Sequence, residues 1–239
     1  MGHSSVEHDI AGGYQLDALL RGWAPQRAWH RARLDLVAHV LPPVNGSLIL
    51  DAAAGSGIVT WRFPESHIVS TDLRVSACQF VRTHTPGARA TASELCALPF
   101  RSGAFSQIYF LEAIEHLSEQ DGRVALGELR RVAHAGARCL VTTPNYNSLW
   151  VVLERALDWL HATPPMANAQ HQSHYDGRSL AAAAQAAGWR VVRSGSFNLA
   201  APVIGMLSAR AGAWTTGREA RGLGGAGTLL YAVCEAAPR

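Results

Sequence analysis

Three side chains able to do chemistry stand close together at Glu112, Glu115 and His116, spaced i, i+3 and i+4. On one helical turn that spacing puts two carboxylates and an imidazole on one face. Such a group can hold a hard divalent cation, or exchange a proton with a bound hydroxyl. A second stretch lies upstream. Residues 48–57 run from three aliphatics through Asp51 to small residues at Ala53, Gly55 and Gly57. This reads as a buried strand that breaks into a tight turn, with a bare backbone that a ligand can approach and a helix N-terminus aimed at the same crevice. About twenty residues on, His67-Ile68-Val69-Ser70-Thr71-Asp72 reads as another strand ending in an acid, which can accept the hydroxyls of a ribose.

Together these residues resemble the class I S-adenosylmethionine-dependent methyltransferases. The first motif of that family runs hydrophobic-Leu-Asp-x-Gly-x-Gly-x-Gly, and Leu50-Asp51-Ala52-Ala53-Ala54-Gly55-Ser56-Gly57 follows it with Ala53 in place of the first glycine. A dinucleotide oxidoreductase would want G-x-G-x-x-G, a spacing this turn lacks. The likeness continues through Leu98-Pro99-Phe100, Phe105, Glu112-Ala113-Ile114-Glu115-His116-Leu117 and Thr143-Pro144-Asn145, and covers roughly residues 45 to 195.

The resemblance implies S-adenosyl-L-methionine as cofactor. It implies that Asp51 orients the turn and that the backbone of Ala53, Gly55 and Gly57 meets the methionine part. Asp72 would then hold the ribose, Leu73 would pack on the adenine, and Glu94 with Leu95 would meet the adenine's edge. Glu94 occupies the place of the family's usual aspartate. Leu111 ends the fourth strand, where open α/β sheets keep their ligands.

The E-x-x-E-H spacing is similar to that of quinone-biosynthetic O-methyltransferases and of small-RNA 3′-terminal 2′-O-methyltransferases, in which it can hold a divalent metal. In those relatives a histidine stands four residues before an aromatic, a cap and a helix; His171, Tyr175 and Asp176 fit that frame, with His174 as a second option. One expectation is therefore magnesium or manganese on Glu112, Glu115, His116 and His171. Another is a metal-free site in which His116 or His171 positions or deprotonates the acceptor. A third gives Glu115 and His116 structural roles alone.

The frame that must position these groups can be read from the remaining pattern. The chain has 239 residues, 48% hydrophobic and 16% charged, enough for one large domain, residues 1–239, with a well-buried core. Its net charge of +3 is spread along the chain with no dense Lys/Arg run, so no concentrated nucleic-acid patch is expected. Four cysteines without a C-x-x-C pair suggest buried free thiols in a reducing cytosol. No apolar run reaches the ~18 residues of a membrane span, so a soluble, cytoplasmic protein, monomer or homodimer, is expected.

Apolar spacing predicts two helices between Tyr14 and Leu41, broken near Trp23-Ala24-Pro25. Residues 1–44 would cap the cofactor mouth, with Tyr14, Trp23 and Trp29 serving as a lid or as packing. Helices are expected at 74–84, 118–132 and 179–187, and strands at 105–111, 138–143, from 189, and at 228–234. Residues 208–225 read as a loop or short helix. Asn145 is a pocket or a turn residue, and the apolar insertion 146–170, with Trp150 and Trp159, is a lid or a dimer contact.

The expected fold is a doubly wound, mostly parallel seven-stranded Rossmann-like α/β sheet with one antiparallel edge strand and helices on both faces. The expected activity is methyl transfer to a hydroxyl of a small, fairly apolar acceptor such as a quinone precursor, a natural product or a lipid-linked sugar. Alternatives are a metal-dependent RNA 2′-O-methyltransferase and a cofactor-binding protein without turnover.

Overall fold

Uncharged aliphatic and aromatic runs make strands that are buried on both faces, and a sheet of such strands must be covered by helices on each side. In the computed structural model, which describes residues 12–152, 171–222 and 224–237, β1 (Leu48–Ala52) and β4 (Phe105–Leu111) do this by simple alternation. Leu50, Ile108 and Phe110 point into one core, with Leu126, Leu129 and Val132 of α5 (Glu119–Val132) and Leu180 of α6 (Gly177–Ala186). Ile49 and Tyr109 point into the other, with Leu16 and Leu19 of α1 (Tyr14–Arg21) and Leu34, Leu36 and Val37 of α2 (Ala24–Val40).

Between these lie α3 (Ile58–Arg62), β2 (His67–Asp72), α4 (Val75–His84), β3 (Arg89–Ala92) and β5 (Ala133–Pro144); β6 (Trp189–Phe197), α7 (Ala201–Leu207), α8 (Ala209–Gly222) and β7 (Leu229–Ala236) complete the chain. The seven strands lie in the order β3-β2-β1-β4-β5-β7-β6. β1 through β5 pair in parallel, and β7 runs antiparallel to both β5 and β6. The doubly wound sheet is thus the expected one, and its single reversed strand, β7, lies one place in from the edge formed by β6. The order reverses between β1 and β4, so the carboxyl ends of those two strands open a crevice.

Local chemistry sets several boundaries. Ser118 caps α5 by accepting the Asp121 amide at 3.1 Å, and Asp176 caps α6 by accepting from Arg178 and Ser179. From α5, Glu128 and Arg131 hold the Leu98-Pro99-Phe100 loop: Glu128 accepts the Leu98 amide, and Arg131 donates to the Leu98 and Phe100 carbonyls.

Three expectations are corrected. The strand expected at 138–143 starts earlier, at Ala133, and carries a bulge: Phe105 pairs with Ala133, then Gln107 with Arg138, and Gly136 takes φ +79°. The strands expected from 189 and at 228–234 pair with each other, but two helices, α7 and α8, lie between them where only a loop or short helix was expected. Finally, residues 209–222 form a 14-residue helix despite their glycines. Those glycines are what allow it to pack. A Cβ on Gly212 would lie 2.6 Å from Gly205 Cα of α7, and one on Gly217 would lie 2.7 Å from the His39 ring of α2. Close packing overrides weak propensity. The parts of the N-terminal cap at 1–11 and of the insertion at 153–170, Trp159 among them, lie outside the described residues.

Buried Glu219 of α8 ties this helical pair to β6. Its carboxylate accepts the backbone amides of Asn198, Leu199, Ala200 and Ala201, and Asn198 sits at φ +69°. Glu219→Ala would strand four amide donors and is expected to lower stability by about 3 kcal/mol, measured by urea unfolding.

Candidate functional site

The crevice is shaped first by the turn after β1. Ala53, Gly55 and Gly57 all take left-handed φ, at +57°, +54° and +68°. For Ala53 that conformation costs on the order of 1–2 kcal/mol, and the surrounding bonds over-determine it. Ala54 donates to Thr71 O at 2.8 Å, Gly57 to Ala54 O at 2.9 Å, and the Ser56 hydroxyl accepts the Leu16 amide of α1 at 2.9 Å. The Gly55 amide donates to Asp72 Oδ2 at 2.8 Å. The other Asp72 oxygen accepts from Arg74, through its backbone amide at 3.0 Å and its Nε at 3.3 Å. Gly57 has no room for a side chain, since a Cβ there would lie 2.7 Å from Val81 Cγ2.

The sequence-predicted cofactor residues gather here. The Ser93 amide donates to the Asp72 carbonyl at 3.0 Å, which sets Glu94 and Leu95 beside Asp72 and Leu73. Leu73 is 67% exposed, an open apolar face at the end of β2. Glu94 is exposed, and Leu95 is half-buried against the core. Leu111 is half-buried on the α1/α2 side.

Acids crowd the ends of β1 and β4. Asp51 is buried and its Oδ2 has no hydrogen-bond partner; burial, reinforced by the nearby Asp72 charge, pushes its pKa up to about 8. Glu112 takes φ +52°, and its Oε1 is likewise buried without a hydrogen-bond partner. Burial and then the Glu115 charge push Glu112 up to about 8, against the pull of Arg33. Burial raises Glu115 to about 7, although its Oε2 accepts from the Thr143 hydroxyl at 3.0 Å. Two unpartnered carboxyl oxygens at the switch point suit a ligand that brings positive charge.

The expected shared helical face for Glu112, Glu115 and His116 is corrected. Glu112 leaves β4 in a left-handed conformation, and only Ile114–His116 coil, as one 3₁₀ turn, so the i, i+3, i+4 rule does not span them. Glu115 turns inward and His116 outward. What comes together is Glu115, His116 and His171, each with one potential ligand atom within 4.8 Å of the others; Glu112 is outside that group. The His116 and His171 rings are 5.1 Å apart, and His171 Nδ1 lies 2.7 Å from the Tyr146 hydroxyl. The Glu115 carbonyl accepts the Gln172 and Ser173 amides, which is how the segment carrying His171 reaches the 3₁₀ turn.

Aromatic rings wall this corner. Trp150 lies 6.4 Å from His171 and 5.3 Å from Trp29 of α2, so the N-terminal cap meets the start of the insertion there, and His174 packs 4.0 Å from Tyr146. Trp23 is exposed, and the Tyr14 hydroxyl accepts from Gln26 at 3.4 Å. A shallow, open groove of about 550 Å³ lies beside Tyr146, lined also by Asn147, Ser148, Leu149, Leu199 and Ala226. Asn145 works as a clamp: its Nδ2 donates to the Gly225 and Gly227 carbonyls, both at 2.8 Å, and its Oδ1 accepts from Asn147.

Sequence reasoning missed Arg33. This arginine of α2 is 6% exposed, contacts His30, has an unpartnered Nε, and its positive charge acts on both Glu112 and Glu115. Burial lowers its pKa while both glutamates hold it up; burial and Arg33 together press His30 down to about 2. The available signal was helical register: Arg33 lies at i+4 from Trp29 and at i−3 and i−4 from Leu36 and Val37, a cation on the apolar face of α2.

The chain matches the family model described as a methyltransferase domain over residues 26–194. Over 164 residues it is 30% identical to the ubiquinone/menaquinone biosynthesis C-methyltransferase UbiE of Burkholderia multivorans; the match takes in 65% of this chain and 64% of that relative's length. Its fold is similar to that of an S-adenosylmethionine-dependent methyltransferase from Thermotoga maritima, with a TM-score of 0.67 and 11% identity over 92% of this chain and 95% of that one. It is also similar to a geranyl diphosphate methyltransferase solved with SAM, with a TM-score of 0.61 and 14% identity over 94% and 90%. At these identities the structural likeness is one of fold.

The raised acids have a consequence for stability. Asp51, Glu112 and Glu115 keep protons in the folded state that the unfolded chain releases near pH 4, so their contribution is complete below that pH and is lost as pH rises through about 7 to 8. His30 acts the other way, but only below its ordinary 6.5. From pH 6.5 to 8 the unfolding temperature of the ligand-free protein is therefore expected to fall. The slope is up to about 1.4 kcal/mol per pH unit per group. Scanning calorimetry of Glu112→Gln should show a shallower slope.

Proposed function

Because the chain belongs to the class I S-adenosylmethionine-dependent methyltransferase family, we propose that it moves a methyl group onto a hydroxyl oxygen of a small, apolar acceptor. S-adenosylmethionine, when bound, supplies a methyl group already activated on a sulfonium, so the protein's work is alignment and proton removal. The turn at Ala53, Gly55 and Gly57 presents its backbone to the methionine part, and Asp72 and Leu73 take the nucleoside. Asp51 and Glu112, each with an unpartnered buried oxygen, are the acids that meet its positive charge. We read the chain as one domain whose helices α1 and α2 cap this crevice, α1 through the Leu16–Ser56 bond.

The observation that carries the acceptor reading is the His116–His171 pair set against Tyr146 and Trp150. His116 is exposed, so it can reach a bound hydroxyl, while Tyr146 holds the His171 ring. A base beside aromatic rings suits a phenolic or enolic hydroxyl: the rings stack on the apolar body and the imidazole takes the proton. The open groove at Tyr146, Leu149 and Leu199 would give such a molecule an apolar surface to lie on. The UbiE relative is named as a C-methyltransferase, which favours a second reading: the same deprotonation would push electrons to a ring carbon, and carbon would take the methyl. A divalent cation on Glu115, His116 and His171 is a separable question, since alignment by the histidines needs none.

Calorimetric titration with S-adenosylhomocysteine, once with chelator and once with magnesium, is expected to give micromolar binding in both; Leu73→Asp, at the exposed end of β2, is expected to weaken it at least about tenfold with the circular dichroism spectrum unchanged. Absence of binding to the folded wild type would overturn the reading. With a hydroquinone or phenol panel as acceptor, His116→Ala is expected to lower kcat by about a hundredfold or more and to leave cofactor affinity within a factor of about two. Mass spectrometry of the product assigns oxygen or carbon.

A further inference from the structure

We propose that the α7–α8 insertion between β6 and β7 docks the protein onto an anionic phospholipid surface. On α7, Val203, Met206 and Leu207 fall at i, i+3 and i+4, and all three are exposed, Leu207 at 89%. Leu199, just before α7, is exposed as well. On α8, Arg210, Trp214, Arg218 and Arg221 follow at i, i+4, i+8 and i+11, a single stripe along the helix, and all four are exposed. Arg218 lies over the Trp214 ring at 5.5 Å. The inner faces are already engaged: Gly205, Gly212 and Thr216 close on Ala28 and Ala32 of α2. The outer side of the pair therefore combines aliphatic, indole and guanidinium groups.

The charge balance selects the partner. From residue 177 onward the sequence has seven arginines and only two acids, Glu219 and Glu235. Glu219 is buried on four backbone amides, and Glu235 pairs with Arg138 and Arg190 across the sheet. Among the described residues of the insertion, no exposed carboxylate offsets Arg210, Arg218 and Arg221. A neutral apolar protein partner would leave three cations uncompensated, and a nucleic acid would leave Val203, Met206 and Leu207 in water. An anionic bilayer satisfies both sets, with arginines at the phosphates, the indole at headgroup depth and the aliphatic side chains at the acyl boundary. Leu199 also lines the groove beside Tyr146, so docking would set that rim against the acyl layer, a source of apolar acceptor; this clause alone rests on the methyl-transfer reading above.

The test is flotation of the full chain with vesicles of phosphatidylcholine alone and with equal parts phosphatidylglycerol. Binding is expected only to the anionic vesicles and is expected to weaken with salt. Arg210→Gln, Arg218→Gln and Arg221→Gln together should weaken it by about a hundredfold, about fivefold per charge; Leu207→Ser with Trp214→Ser should also release the protein. Circular dichroism and S-adenosylhomocysteine binding check that these variants are folded. Should they not fold, wild-type tryptophan fluorescence quenched by brominated acyl chains, and less quenched in Trp214→Phe, supports the same surface. Failure of the wild type to float with anionic vesicles, equal flotation of folded variants, or unchanged quenching in Trp214→Phe would each overturn the proposal. A dimer that Leu207→Ser dissociates, with no vesicle binding, would assign the face to a second copy instead. None of these readouts needs methyl transfer, so the two proposals fail separately.

Discussion

The Asp72 carboxylate accepts the Gly55 amide at 2.8 Å, and through that bond the end of β2 holds the turn that leaves β1. The turn needs such a holder. Its three left-handed residues include Ala53, which pays for its Cβ in strain, and its amides would otherwise be free to rotate away from a ligand. The same carboxylate draws in Arg74 at the head of α4, while Ser56 draws in α1. One acid thereby sets the relation of two strands, a turn and the start of a helix, and the N-terminal cap is added by the next residue of the turn.

Around that clamp the site is electrostatically unfinished. Asp51, Glu112 and Glu115 face little compensating charge beyond Arg33, and burial holds all three above their ordinary range. A protein that kept this arrangement for stability alone would gain from replacing such groups by apolar ones. A cationic ligand reverses that balance, because it stabilises the ionised acids that the empty crevice disfavours. Strain at Ala53 and Glu112 belongs to the same pattern, since both residues lie at the carboxyl ends of the strands that flank the switch point.

The C-terminal half shows a different constraint. β6 and β7 pair over nine and eight residues, yet 31 residues separate them, and the intervening helices α7 and α8 pack on α2 through glycine contacts. Glu219 makes that packing affordable in hydrogen bonds by covering the amides at the start of α7. The result leaves one side of the pair apolar and cationic, a surface that core packing does not require.

Much was legible in the sequence because it depends on local pattern. Uncharged runs such as Leu48-Ile49-Leu50 and Ile108-Tyr109-Phe110 make buried strands wherever they occur, and small residues after Asp51 make a turn. The glycine positions and Asp72 followed from motif spacing, and the closeness of His171 to His116 from the resemblance to related methyltransferases. Three things waited on tertiary structure. Residues 209–222 read as a loop or short helix, and the 14-residue helix they form packs where its glycines meet Gly205 and His39, contacts that no local pattern shows. Glu112 was separated from Glu115 and His116 because it turns left-handed where β4 ends, a backbone choice that side-chain spacing does not encode. Arg33 is distant in sequence from every motif, and only the packing of α2 over the sheet carries its charge to the glutamates. Sequence determined which residues could bind and react, since composition and periodicity are local; the fold decided which of them meet, since burial and proximity come from the whole chain at once.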